Sequence, residues 1–333
     1  MSKRFEIPIV LFIFRRYDTV LRIIDVMRKV QPLKVYLLSD EGRTKEEKLQ
    51  VQYARKTIEE SIDWDCEVIK RYASENIGVL NNIGLGAKWV FEREDKAIFL
   101  EDDNLPAESF FSYCEDALDL FEDDQRVLWV CGTNYLKPDQ QVDYKYDAFF
   151  SQHMLPCGWA SWSKKYRDHY DAYLESLSSR ELVNRFYSTY EDNRLANEQY
   201  YHIAQTKYYI DTQINRASWD YQMLFTLRSQ GMYGIVPVKN QIRNIGVDEI
   251  SEHGGTSLNF TMTSRFCELQ TYEITGLIRI PSEISTPFER ALDAVLLPPI
   301  KDRIKRKMGT AIKKLLGMNP YDSLSKALQG RHG

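Results

Sequence analysis

Three adjacent carboxylates, Glu101, Asp102 and Asp103, stand in the stretch KAIFLEDDNLPAESFF directly after the apolar run at 97–100. Like charges crowded at a poorly solvated strand end repel one another, and something must offset that repulsion. A bound cation, nearby basic side chains or a helix N-terminus would do so. Asn104-Leu105-Pro106 reads as a cap followed by proline at a helix start, which predicts a helix over 106–121. Phe110, Phe111, Cys114, Leu118 and Phe121 fall roughly on one face of it. One helix terminus is too little for three carboxylates, so a divalent cation is expected. Hard oxygen ligands at this spacing suit Mn²⁺ or Mg²⁺, with phosphate oxygens completing the shell. The competing reading is a solvated acidic turn.

A second candidate stands alone in Ser218-Trp219-Asp220. Asp220 is either an acid placed at a helix N-terminus by the macrodipole or a general base set apart from the metal-binding carboxylates. Trp159 and Trp162, in CGWASW, either wall a sugar site or pack in the core, and Gly158 favours a loop and the wall. His153, His169 and His202 show no metal-site spacing.

These residues need a frame. Apolar strands are predicted at 7–14, 34–38, 66–71 and 97–100, alternating with helices at 18–30, 44–60 and 78–93. Such alternation implies an α/β fold with a mostly parallel sheet flanked by helices. Ligands then bind at the carboxyl ends of the strands. That edge collects Arg15-Arg16, Asp40-Glu41, the 72–78 segment and Glu101 to Asp103. A fifth strand is read at 127–131, a helix at 217–230, a short strand at 233–238 and a loop at 238–255. A polar, Tyr-rich helical region spans 178–213.

With 333 residues, 43% hydrophobic and 28% charged, the chain is ordinary for a globular protein with a large core. A net charge of -4 gives no reason to expect nucleic acid as an electrostatic partner. Five scattered cysteines without a C-x-x-C pair fit a reducing, cytoplasmic setting better than a disulfide framework or zinc site. The N-terminal apolar run is short and lacks a cleavage site, so it reads as a buried strand rather than a signal peptide.

The tail differs in character. Residues 298–317, PPIKDRIKRKMGTAIKKLLG, carry seven Lys or Arg against one Asp. Ile300, Ile304, Met308, Ala311, Ile312 and Leu315 share one helical face. A basic amphipathic helix of this kind suits an anionic membrane surface, another subunit, or simple solvation. Membrane binding is favoured, which would make the protein peripheral at the cytoplasmic face.

The element FLEDDNLPAESFF resembles the metal-binding segment of GT-A type, nucleotide-sugar-dependent glycosyltransferases, near the inverting N-acetylglucosaminyltransferase I group and its bacterial relatives. The resemblance covers roughly 7–255. It implies a GT-A (Rossmann-like) fold in which Asp103 binds the metal and Asp102 and Glu101 contact the sugar nucleotide. It also implies that Arg16 lies near the nucleotide, that Asp40 accepts from a uracil ring, and that Asp220 is the catalytic base. Late histidines are metal or diphosphate ligands in many such enzymes, so His253 is a candidate, with a surface histidine as the alternative. The segment NIGVLNN lacks a basic residue that some relatives have.

The expected organisation is a glycosyltransferase domain over 1–295 and a basic tail over 296–333. Residues 1–135 would bind a nucleoside diphosphate sugar, and 136–295 a glycan or lipid-linked acceptor. A sugar-nucleotide pyrophosphorylase needs a Gly-rich loop after the first strand, where FIFRRYDTV has no glycine. A phosphatase needs carboxylates there, and the chain has arginines. The alternatives are a non-catalytic sugar- or nucleotide-binding module and, despite that missing glycine, a sugar-nucleotide pyrophosphorylase.

Overall fold

The computed structural model describes residues 4–136, 140, 145–246 and 278–322. Four strands, β1 (Ile9–Ile13), β2 (Lys34–Ser39), β3 (Glu67–Tyr72) and β4 (Lys96–Glu101), form one half of a sheet. All run parallel in the order β3-β2-β1-β4. Strand β1 reads IVLFI and is buried throughout, as a central parallel strand must be. Edge strand β3 carries Glu67 and Lys70 on exposed positions and Arg71 on a half-buried one, which discourages edge pairing.

The crossovers are helical. Helix α1 (Tyr17–Val30) buries Val20, Ile23, Ile24 and Met27, the stripe its spacing predicts, and stops at Gln31 in a left-handed conformation before Pro32. Helix α2 (Lys45–Ser61) starts at Thr44, whose hydroxyl accepts from the Glu47 amide. The helix expected over 78–93 starts at 78 as predicted, is wound as a π-helix at Leu80–Gly84, and continues as α3 (Leu85–Val90).

The chain lays β2 and β3 on one side of β1 and then returns to place β4 on the other. That reversal opens a crevice at the carboxyl ends of β1 and β4. Arg16 follows β1 and the acidic triplet ends β4, so the topology itself brings them together.

Beyond β4 the sheet is mixed. Strand β6 (Val127–Cys131) does not pair with β4, because β8 (Trp159–Trp162) inserts between them, antiparallel to both. Strand β9 (Tyr233–Pro237) runs parallel to β6, and β7 (Ala148–Ser151) closes the edge antiparallel to β9. Eight strands therefore form one sheet, shared by 1–135 and 136–295. The remaining described helices are α4 (Ser109–Leu120), α5 (Ser163–His169), α6 (Arg180–Ser188), α7 (Asn193–Asp211), α8 (Asp220–Gln230), α9 (Thr286–Leu296) and α10 (Ile300–Leu315).

Two expectations fail here. Asn104-Leu105-Pro106 is not a helix start but strand β5, paired antiparallel with β10 (Ile242–Asn244) inside the expected 238–255 loop. The Asn104 side chain has no helix to cap, because Oδ1 accepts from the Gly158 amide at 2.7 Å and Nδ2 donates to Asp103 Oδ1 at 2.6 Å. Helix α4 starts only at Ser109, with no side-chain cap. The helix terminus invoked to relieve the acidic triplet is thus three residues further on.

Trp159 and Trp162 lie in β8, and both are buried. Trp159 stacks on Phe99 of β4 at 3.9 Å and on Trp129 of β6 at 4.1 Å. Trp162 donates its indole N–H to the Leu118 carbonyl and lies under Lys165 Nζ. The expected sugar-stacking wall is therefore core, because an inserted strand between two apolar strands has both faces covered.

Candidate functional site

A cleft of about 690 Å³ opens at the carboxyl edge of the parallel strands. Arg16, Asp40, Glu101, Asp102 and Asp103 line it, together with Arg15, Arg43, Asn82, Arg216, Ser218 and Asn244. Five residues singled out from sequence, drawn from the ends of three different strands, thus meet in one place.

The acidic triplet is relieved by arginine. Arg16 Nη1 lies 3.9 Å from Asp103 Oδ2, and its Nη2 donates to the Gly246 carbonyl at 3.1 Å. Asp102 is nonetheless pushed up to about 7. Burial is the larger cause and the Asp103 charge the next, while Arg16 and Arg15 pull it back. Gly246 sits directly over the Arg16–Asp103 pair. A Cβ there would come within 2.4 Å of Asp103 Oδ2 and 2.5 Å of Arg16 Nη1, so no larger residue fits without moving them.

Asp40 lines the cleft but is already committed. Its Oδ1 accepts from the amides of Glu41 and Ile77, both at 2.8 Å. Its Oδ2 accepts from the Gly78 amide at 2.9 Å and from Asn76 Nδ2 at 3.1 Å. Four donors fill a carboxylate's capacity, so Asp40 ties the end of β2 to the 76–78 turn rather than offering a free acceptor to a nucleobase. The uracil-binding role implied for it gives way to this one. Arg55, from α2, secures the same turn through the Ser39 hydroxyl and the Asp40 and Ala73 carbonyls. Gly78 completes it at φ +79°, with Asn215 Oδ1 occupying the space a Cβ would need.

Asp220 stands at the first position of α8, half-buried. Its Oδ1 accepts from the Ser218 hydroxyl and, at 3.1 Å, from the Tyr221 amide. Ser218 lines the cleft, whereas Asp220 itself is not among the residues that line it. The loop is anchored through Trp219, which packs on Trp159 at 5.5 Å and whose carbonyl accepts from the Tyr170 hydroxyl at 2.8 Å. The Trp159 stack therefore serves the site from behind, as the floor on which the Asp220 loop rests.

His253 lies outside the described residues. Among the described residues no three His, Cys, Asp or Glu side chains converge on one point that could hold a metal ion. A cation here would rest on one or two carboxylates, Asp103 foremost, with other oxygens supplied by a ligand. That donor set fits Mg²⁺ or Mn²⁺ brought with phosphates and does not fit a closed structural site.

Sequence reasoning missed Arg43 and Arg216. Arg43 pairs with Glu47 at 2.9 Å and holds that carboxyl below its usual range. Arg216 lines the same cleft and is exposed. Its position two residues before Ser218, in RASWD, was the available signal. The cleft can thus receive an anion between arginines of two separate loops while a cation meets Asp103.

No protein-family model matches this chain, and no curated protein matches it. Solved structures with some likeness include UDP-glucose pyrophosphorylase complexed with UDP-glucose, at 7% identity and TM-score 0.31 over 70% of this chain and 90% of that one. The apo form of a UDP-glucose pyrophosphorylase aligns at 10% identity and TM-score 0.35, over 72% and 93%. The glycosyltransferase GlyE of Streptococcus pneumoniae TIGR4 aligns at 15% identity and TM-score 0.26, over 71% and 55%. At such TM-scores none of them identifies a substrate.

Proposed function

We propose that this protein is a glycosyltransferase that moves a sugar from a nucleoside diphosphate sugar, UDP-linked, to an acceptor hydroxyl with inversion. The observation that carries the reading is the juxtaposition of Asp102 and Asp103 with Arg15, Arg16, Arg43 and Arg216 in one cleft at the topological reversal of the sheet. A donor diphosphate with its cation needs both signs of charge at close range, and a neutral sugar needs neither.

In this reading the arginines bind the diphosphate and stabilise the negative charge that grows on it as the glycosidic bond breaks. Mn²⁺ or Mg²⁺, held by Asp103, would supply further neutralisation of that leaving group when bound. Asp220 takes the proton from the acceptor hydroxyl, whose oxygen attacks the anomeric carbon on the face opposite the departing nucleoside diphosphate. The Ser218 hydroxyl orients the Asp220 carboxylate, and Trp219 fixes the loop. The acceptor is a glycan or a lipid-linked sugar, and the product a surface polysaccharide or glycoconjugate.

Absence of a glycine after β1, where Phe14-Arg15-Arg16 stands, speaks against a pyrophosphorylase. The test is a thermal-shift panel of UDP, GDP, CDP and TDP, each with and without Mn²⁺. Stabilisation by one nucleotide that needs both Mn²⁺ and Asp103 supports the transferase. No shift with any of them removes it and leaves a non-catalytic binding module.

A further inference from the structure

Helix α10 is mounted with its polar side inward. Soluble helices ordinarily turn their apolar stripe to the core. Here Arg306 pairs with Glu198 of α7 and lies over the Tyr201 ring at 5.3 Å. Lys313 Nζ donates to the Pro320 carbonyl at 2.8 Å, and Arg303 Nε to the Pro298 carbonyl at 3.0 Å. The opposite face carries Ile300, Ile304, Met308, Ile312 and Leu315, and these are 67%, 50%, 60%, 45% and 87% exposed. Not one residue of this helix is buried.

From this arrangement we infer that α10 is a membrane-surface anchor that lays its apolar face into an anionic bilayer. The choice of occupant rests on charge. Exposed Lys305, Lys307 and Lys314 rim the apolar stripe, and the one acidic residue of the helix, Asp302, is half-buried. A second copy of this face would bring those lysines against one another, whereas anionic headgroups complement them. The helix is also too polar to span: among the described residues no helix is long and apolar enough to cross a membrane. An interfacial position is what a short basic amphipathic helix adopts.

The anchor is coupled to the cleft through α7. Tyr201 and Tyr209 donate to the carbonyls of Pro320 and Tyr321, and Tyr208 donates to Asp322 Oδ1 at 2.7 Å. Tyr209 also lines the cleft. One helix therefore holds the chain that follows α10 and supplies a wall of the site. This inference is independent of the donor chemistry proposed above.

The experiment is co-sedimentation of the full chain with vesicles of phosphatidylcholine alone and of phosphatidylcholine with equimolar phosphatidylglycerol. The chain is expected to bind the anionic vesicles, with binding that weakens as salt rises. Replacing Ile304 and Met308 together (Ile304→Glu, Met308→Glu) should reduce binding at least tenfold, and Lys305→Gln about fivefold. All three side chains are exposed, so melting temperature and nucleotide response should stay as in the wild type. Amide exchange over 300–315 in the wild type should slow on adding anionic vesicles, which tests the contact without any substitution. Failure to bind anionic vesicles overturns the inference, and so does equal binding to neutral ones. A wild-type dimer that the double glutamate variant converts to monomer, without vesicle binding, would assign the face to a second copy instead.

Discussion

Arg16 Nη1 lies 3.9 Å from Asp103 Oδ2, although the two residues belong to different strand ends, β1 and β4. The pair spans the reversal point of the sheet. If arginine and cation are alternative ways to neutralise the triplet, removing one should increase the need for the other. In Arg16→Met, Mn²⁺ alone is expected to raise the melting temperature more than in the wild type, while UDP binding weakens at least tenfold. Calorimetry with Mn²⁺, with UDP and with both measures this. An Arg16→Met protein indifferent to Mn²⁺ would separate Asp103 from metal binding.

Asp220→Asn keeps the side chain's size and its contact with Ser218 but removes the basic oxygen. Transfer is expected to fall 10²- to 10⁴-fold with nucleotide affinity unchanged. Single-turnover assays alongside binding titrations separate the two. Unaltered turnover would return Asp220 to a helix N-terminal acid stabilised by the dipole.

Gly78→Ala should damage both stability and binding. Its backbone is left-handed, and a methyl group would collide with the Asn215 side chain. Strain of this kind costs roughly 1–3 kcal/mol. The 76–78 turn would pull away from Asp40, so nucleotide affinity should fall along with the melting temperature. A variant as stable as the wild type would mean that the turn adapts freely.

Trp159→Ala distinguishes core from sugar wall. As a member of the Phe99–Trp159–Trp129 stack it should cost roughly 3–5 kcal/mol in chemical denaturation. A sugar-stacking Trp would instead raise KM and leave stability intact.

Stability should fall on acidification through His202. Its ring stacks on Tyr221 at 5.3 Å, and its pKa is lowered to about 4, by burial first and then by the Arg306 charge, with Gln205 and Asp220 opposing. The unfolded chain binds a proton near 6.5, so the contribution is complete above that pH and is lost as pH falls from 6.5 to 4. It amounts to about 3 kcal/mol at most. Urea melts at pH 7 and pH 5 on the wild type and His202→Gln should show a smaller pH difference in the variant. Equal differences would exclude His202 as the cause.

Much of this protein could be read along the chain, because local rules decide local features. Continuous apolar runs marked β1, β2, β4 and β6, and the spacing of Val20, Ile23, Ile24 and Met27 marked the buried side of α1. The alternation of strand and helix then implied which ends of the strands would gather Arg16, Asp40 and the acidic triplet. Partners distant in sequence decided the rest. Asn104-Leu105-Pro106 has the composition of a helix cap, yet Ile242–Asn244 arrives to pair with it, and nothing within the segment announces that. A glycine before two tryptophans suggested an open loop, whereas β8 is clamped between β4 and β6. Asp40 looked free to bind a ligand until the 76–78 turn supplied its donors. The periodicity of α10 foretold an apolar face, but which face docks on α7 depended on Glu198 and Tyr201 meeting Arg306. Hydrophobic period is a property of a segment, whereas the saturation of a carboxylate or the covering of a face depends on neighbours that only folding assembles.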